Sequence, residues 1–371
     1  TGSVLQASTS VKMSTFVFSV LFFAWTFSTA SVSTLVLNQN CTTPGGNHGR
    51  CVPVRSCNLV SEILSKENFS AADQRYLESF RCGKLPGSGK ILTCCPQLQS
   101  ENKCGRLTLQ DNILGGEETE PDEFPWVALL GYKDVKGRIR YGCGGTLINE
   151  WYVVTAAHCV TNSRVHRLFE VRLGEWDLDT TKDCITTRCF VDYQDDYRIE
   201  KYIVHERYSF DKLNKEHDIA LLKLATAVER THTVAPICIP TPEMVNSLSI
   251  VGEWFEVSGW GKTENGFSSR RKMKVTLPGQ DMTMCNTAYA AANVTFTANQ
   301  LCVGGLAGKD SCKGDSGGPL MAVLKNRWHL VGIVSLGPTT CGTEHTPAIY
   351  TRLGSYLDWM AQKIELEARV K

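Results

Sequence analysis

Asp310-Ser311-Cys312-Lys313-Gly314-Asp315-Ser316-Gly317-Gly318-Pro319 sets one serine inside a tight, glycine-rich turn. Glycines on both sides of the hydroxyl let the backbone bend closely and aim N–H groups inward. Such a turn can hold a nucleophilic oxygen beside two backbone donors, the N–H groups of Gly314 and Ser316. That pair suits the oxyanion of an acyl-transfer intermediate. Taken alone, the stretch reads equally as a surface loop of turn residues.

Two other stretches change that balance. From Trp151 to Thr155 a β-branched and aromatic run reads as a buried strand, ending in small residues before His158 and Cys159. From Asp218 to Leu224 an aspartate opens an apolar run, which draws its carboxylate toward the interior. Singly, His158 reads as a packed histidine and Asp218 as a cap on a strand or turn. Together the three give the order His, Asp, Ser, each in a matching local context.

With these motifs on the page, the chain from Ile113 to about Val370 resembles the chymotrypsin-like (trypsin family) serine proteases. The resemblance is carried by Ile113–Gly116, Phe124–Trp126, Cys143–Gly145, Thr155–Cys159, Asp218–Leu221 and Gly314–Pro319. Ser335–Gly337, Pro347–Thr351 and a closing amphipathic segment near Tyr356–Met360 add to it. It implies that Ser316 attacks a peptide carbonyl, that His158 takes its proton, and that Asp218 fixes the imidazole tautomer and stabilises the imidazolium. Gly314 and Ser316 then form the oxyanion hole. Short β-type runs separated by Gly, Asn and Asp already point to an all-β architecture. The resemblance makes this two six-stranded barrels of trypsin-like type with the triad in the cleft between them.

At 371 residues, two domains are expected. A net charge of +1 supplies no broad basic field for nucleic acid, and Arg270-Arg271-Lys272 reads as a solvated loop. The sixteen cysteines do not follow repeated CxxC spacing, so disulfides in an oxidising compartment are the better reading. A leader agrees: Lys12 precedes an apolar run from Phe16 to Phe27, with small residues up to Ala30 for cleavage. That run is short for a bilayer span and fits a signal peptide over 13–30, with Met13 as the start. Secretion without a membrane anchor follows, and residues 1–12 are left out of the fold reading.

Cys41, Cys51, Cys57, Cys82, Cys94 and Cys95 describe a small stapled module over 41–95, whose own apolar core is too small to hold it. Spacing alone leaves fifteen connectivities open. The adjacent Cys94 and Cys95, ahead of a protease-like domain, resemble the clip domain of arthropod proteases. That resemblance implies Cys41 with Cys94, Cys51 with Cys82, and Cys57 with Cys95. The long gap from Cys57 to Cys82 resembles the clip type of prophenoloxidase-activating and Toll-pathway proteases. Within it, Ser70–Ser79 reads as a short helix with Ser70 as N-cap. The module reads as a docking domain or as a spacer. The polar stretch 96–112 reads as a linker and activation region. Family likeness also pairs Cys104 with Cys238, Cys143 with Cys159, Cys285 with Cys302 and Cys312 with Cys341. Cys184 and Cys189 remain to close a small loop.

Asp310, six residues before Ser316, stands where trypsin-like members carry the acid of the primary pocket, which implies cleavage after Arg or Lys. Gly337 matches a pocket-wall glycine, while Ala348 replaces a second glycine and narrows the site. Glu175, Asp177, Thr180 and Asp183 crowd one loop with oxygen donors, resembling a structural Ca²⁺ loop, with a solvated acidic loop as the alternative. No cofactor is expected for catalysis. Asn68 and Asn293 begin glycosylation sequons, as does Asn40 beside Cys41. Ile113 resembles the new N-terminus of a cleaved zymogen, whose amino group pairs with Asp315, but Asn112 replaces the usual Arg or Lys before it.

These features imply a secreted serine endopeptidase zymogen of an extracellular (haemolymph) immune cascade, such as prophenoloxidase activation or Toll-ligand processing. Its expected partners are a protein substrate (another zymogen or a cytokine precursor), an upstream activating protease and a serpin inhibitor. The alternative is a non-catalytic clip-domain homologue acting as cofactor or scaffold; such homologues typically lose the serine, and Ser316 is present.

Overall fold

A computed structural model of the chain describes residues 37–107, 117–161, 167–180, 182–185, 188–189, 195–262, 268–338 and 340–369. The leader, Asn112 and Ile113 lie outside them.

The N-terminal module is a four-stranded antiparallel sheet in the order β1-β2-β4-β3, with β1 Asn40–Thr42, β2 His48–Pro53, β3 Arg81–Lys84 and β4 Ile91–Pro96. Two short helices, α1 Asn58–Leu64 and α2 Ala71–Ser79, cross between β2 and β3. Ser70 caps α2: its side chain accepts from the Asp73 N–H, and the Asp73 carboxylate accepts from the Ser70 N–H in return. The apolar core is five buried residues, Cys57, Leu59, Val60, Ile63 and Phe80. Three disulfides, Cys41–Cys94, Cys51–Cys82 and Cys57–Cys95, offset that small core.

The rest of the chain is two barrels. The first closes β12-β13-β8-β7-β6-β9, from β6 Val127–Lys133, β7 Ile139–Asn149, β8 Tyr152–Thr155, β9 Arg167–Leu173, β12 Asp195–Val204 and β13 Ala220–Leu224. A hairpin of β10 Cys184–Ile185 and β11 Arg188–Cys189 sets Cys184 across from Cys189; their side chains are outside the described residues. The second runs β14-β17-β18-β19-β16-β15 and closes through β14–β15, with β5 Glu117–Glu118 added on β15. Its strands are β14 Trp254–Gly259, β15 Met273–Gln280, β16 Gln300–Gly304, β17 Pro319–Leu324, β18 Arg327–Leu336 and β19 Pro347–Arg352. Helices are few: α3 Ala157–Thr161, α4 Pro242–Ser247, α5 Met282–Ala288 and α6 Leu357–Arg369. Full closure leaves neither barrel an open edge. In β8 and β13 every residue is buried, so these strands read as continuous apolar runs rather than alternating ones. Among the described residues no helix is long and apolar enough to cross a membrane.

The stretch read as a polar linker is pinned to the segment joining the two barrels and to β18 of the second. Ile239 N–H donates to Ser100 Oγ at 2.7 Å, and Ser100 Oγ donates to Ile239 O at 2.8 Å. Gly105 N–H donates to Pro236 O, and Trp328 N–H donates to Gly105 O, each at 2.9 Å. Gly105 has φ +53°, and a Cβ there would stand 2.1 Å from Trp328 O, so the crossing requires glycine. Cys104–Cys238 locks it covalently. Low hydrophobicity made this strap look free; it is held by backbone pairing that composition does not report.

The module also grips α6. Glu365 is fully buried and accepts from Thr43 Oγ1 at 2.5 Å, Gly45 N–H at 2.8 Å and Asn47 Nδ2 at 2.6 Å. Leu366 packs against the module's apolar core, and the Arg369 guanidinium lies 4.1 Å over the Tyr76 ring. Asp73 also accepts from Lys66 and Ser70.

Candidate active site

The first barrel delivers the base and its acid. His158 leaves β8 at the start of α3, and Asp218 stands just before β13, whose Ala220 pairs with Thr155. That pairing brings the two loops together. His158 Nδ1 lies 2.7 Å from Asp218 Oδ2, and His158 N–H donates to Asp218 Oδ1 at 2.8 Å. An acceptor-only carboxylate fixes the proton on Nδ1 and leaves Nε2 as the base. Asp218 is fully buried, and two more donors hold it: Ser335 Oγ to Oδ2 at 2.6 Å and Thr351 Oγ1 to its carbonyl at 2.8 Å. The sequence reading gave neither residue a role, although Ser335 opens one of the quoted motifs.

Ser316 comes from the second barrel. Its carbonyl accepts from Gly144 N–H at 2.8 Å, which ties the serine turn to β7 of the first barrel. Within the turn Asp315, Gly317 and Gly318 donate their N–H groups to Cys312, Val334 and Asp315 carbonyls. Among the described residues the N–H groups of Gly314 and Ser316 make no such bond. Gly314 sits at φ +111°, where a Cβ would press on the Gly261 Cα at 2.9 Å. Two uncommitted donors beside a serine suit the oxyanion of an acyl-transfer intermediate.

Asp310 is half-buried near the serine turn. Its Oδ2 receives a long contact, 3.4 Å, from Gly342 N–H, and among the described residues its buried Oδ1 has no hydrogen-bond partner. Burial pushes its carboxyl up to about 7. An acid this poorly satisfied is complementary to a cation brought by a ligand. Gly304 and Ala348 close in on it: a Cβ at Gly304 would lie 3.7 Å from Asp310 Oδ1 and 3.9 Å from Ala348 N. The Ala348 methyl itself stands 3.9 Å from where a Gly337 Cβ would be. Gly337 and Asp310 thus both neighbour Ala348.

Asp315 turns away from Ser316. Its Oδ1 accepts from Gly261 N–H at 2.8 Å and its Oδ2 from Cys312 N–H at 2.9 Å, while burial raises its pKa. The proposed partner, the Ile113 amino group, is outside the described residues.

In the acidic loop, Glu175, Thr180 and Asp183 converge. Trp176 N–H donates to Glu175 Oε1 at 3.0 Å and to Asp183 Oδ2 at 3.1 Å, and Thr180 Oγ1 donates to Asp183 Oδ1 at 2.7 Å. Burial, then the Asp183 charge, raise the Glu175 pKa. Asp177 does not join them: it pairs with Arg270 at 3.2 Å and Arg271 at 2.9 Å. The basic run is therefore not a solvated loop. Lys272, at its end, is buried, and burial pushes its ammonium down to about 8. Asn68 and Asn293 are exposed. The remaining disulfides of the barrels are Cys143–Cys159, Cys285–Cys302 and Cys312–Cys341.

Comparison with known proteins follows this geometry. The Trypsin family matches residues 113–360, and the family described as the regulatory CLIP domain of proteinases matches residues 41–95. CLIP domain-containing serine protease B15 of Anopheles gambiae is 43% identical, over 86% of this chain and 89% of its own length. Phenoloxidase-activating factor 1 of Holotrichia diomphalia is 38% identical, over 93% and 99%. The crystal structure of the Drosophila Grass clip serine protease of the Toll pathway is similar at a TM-score of 0.65 and 35% identity, covering 88% of this chain and 98% of that one.

Proposed function

The chain belongs to the trypsin family of serine proteases and carries a clip domain, and from that premise we propose that it is a secreted zymogen cutting proteins after Arg or Lys in an immune cascade. It is a serine endopeptidase. The observation that carries the basic specificity is Asp310, half-buried with one oxygen unpartnered. Support for the cascade comes from the relatives, one named a phenoloxidase-activating factor and one a protease of the Toll pathway. The substrate would be another zymogen or a cytokine precursor, met in haemolymph and checked by a serpin. Screening the activated protein against a peptide library, together with sequencing its new N-terminus, tests the reading. Cleavage after Arg or Lys and an Ile113 N-terminus are expected; preference for aromatic or small residues would sink it.

Activation should need an unusual partner. Neutral Asn112 cannot fill the acidic pocket of a trypsin-like activator, and Asp111 adds an unfavourable charge. Cutting at Lys103 or Arg106 leaves extra residues before Ile113. Brief trypsin treatment of the unchanged zymogen should therefore leave it inactive, whereas Asn112→Arg should yield an Ile113 N-terminus and activity. Full activation of the unchanged chain by trypsin would reject this.

Calcium would take Glu175 and Asp183, two buried carboxylates, in place of the Arg172 guanidinium that pairs with Glu175 at 3.2 Å. Millimolar calcium should raise the Tm, because a ligand bound only by the folded state stabilises it. Glu175→Ala should remove the shift, and Asp177→Ala, which touches an arginine pair instead, should leave it. Without any shift in the parent, the assignment goes.

A further inference from the structure

Two imidazoles stack behind the triad's carboxylate. The rings of His205 and His217 lie 7° from parallel with centroids 4.8 Å apart. Tyr356 meets both edge-on, at 5.3 and 5.9 Å, and Trp359 leans on His205 at 5.0 Å. His217 Nδ1 lies 3.0 Å from the Tyr356 hydroxyl. His217 immediately precedes Asp218, and its backbone is left-handed, at φ +62°. Positive φ is uncommon for a residue with a side chain, although histidine adopts it more readily than most.

The same residue is anchored through its main chain. Ile219 N–H donates to His217 O at 2.8 Å, which closes a tight turn around Asp218, and His205 N–H donates to Ile219 O at 3.2 Å. The stack and the turn are therefore one unit, with His205 bonded to one end and His217 forming the other. We propose that His217, clamped between the His205 ring and the Tyr356 hydroxyl, is a positioning residue that holds the turn in which Asp218 faces His158. Its influence runs through Asp218; it touches no reacting atom.

The electrostatics suit a rigid clamp. Burial lowers the pKa of both rings, of His205 to about 4. Glu206, Arg207 and Lys363 face His205, and Glu216, Arg207 and Lys212 face His217. Two neutral rings stack without repulsion. Ordinary core packing would account for a buried histidine pair, but not for a left-handed residue held at the shoulder of the catalytic aspartate.

Three variants of the activated full chain test this, with rates normalised by active-site titration. A misplacement near 1 Å can cost about 100-fold in rate. His217→Ala should lower kcat by roughly 10- to 100-fold at near-constant KM. It should also move the acidic limb of the kcat/KM–pH profile to lower pH, because a displaced carboxylate supports the imidazolium less. His217→Asn should recover most of kcat, since asparagine accepts the left-handed backbone and can bond Tyr356. Tyr356→Phe removes one hydroxyl from a ring that keeps its packing; it should cost a few-fold in kcat with Tm nearly unchanged, and it decides the matter should His217→Ala not fold. The proposal is overturned if His217→Ala and Tyr356→Phe keep parental kcat and pH profile. It is equally overturned if His217→Ala and His217→Asn lose kcat alike with the profile unmoved, the mark of a purely structural role.

Discussion

Replacing Ser316 with alanine is expected to lower kcat by about six orders of magnitude, to the level that binding and the oxyanion donors alone sustain. The step that disappears is formation of the acyl intermediate, because the attacking oxygen is gone. What remains is backbone: the Gly314 and Ser316 N–H groups survive, and so does the Ser316 carbonyl that accepts from Gly144. The variant should therefore fold, be secreted and bind substrate as the parent does, while failing to react with a serine-directed fluorophosphonate. Turnover within a hundredfold of the parent would reject Ser316 as the nucleophile. The same variant separates the enzyme from a scaffold reading, since a scaffold's output in a reconstituted cascade would be indifferent to the hydroxyl.

Asp310→Ser should lower kcat/KM on Arg and Lys substrates by roughly 10²- to 10³-fold, the loss expected when one partner of a desolvated charge pair is removed. A second, opposite effect should accompany it. Burial holds the Asp310 carboxyl near 7, above its ordinary value, so the folded protein carries more protons than the unfolded chain between about pH 4 and 7. Stability then falls as pH rises through that window, and Asp310 is a destabilising charge above it. The serine variant should melt higher than the parent at pH 8 and show little difference near pH 4. A basic substrate pairs best with the ionised acid, so the parent's KM for Arg substrates should drop as pH rises through about 7. An unchanged preference for basic residues would dismiss Asp310 as the pocket acid, whatever the melting curves do.

The strands were legible because their signals are local, whereas their closure into two barrels came from the family resemblance. Continuous apolar runs such as Tyr152–Thr155 and Ile219–Leu224 announce strands buried on both faces, and the Ser70 cap follows from one polar residue before a short helical pattern. Residues around the triad sit in short motifs, so His158 and Asp218 could be singled out before any distance was known. What escaped depends on partners far along the chain. Glu365 lies in an amphipathic helix where an acid reads as solvated, yet its donors are as much as 322 residues away. Lys272 follows two arginines in a basic run that reads as solvated, yet it is buried and the arginines are paired with Asp177. Asp177 carries the composition of a calcium ligand, but the arginines that claim it come from positions more than ninety residues on.

The grip of the N-terminal module on α6 has a consequence for how this chain is made. Synthesis runs from the amino end, and domains generally fold as they emerge. Here the three-disulfide module is made well before Glu365 and Leu366, which fill its loop and flank its core from some three hundred residues on. Until they arrive, the Thr43–Asn47 loop keeps its internal hydrogen bonds but lacks the carboxylate that accepts from Thr43 Oγ1, Gly45 N–H and Asn47 Nδ2. Contacts of such sequence separation form slowly. α6, made some three hundred residues after the module, is the piece that seats it.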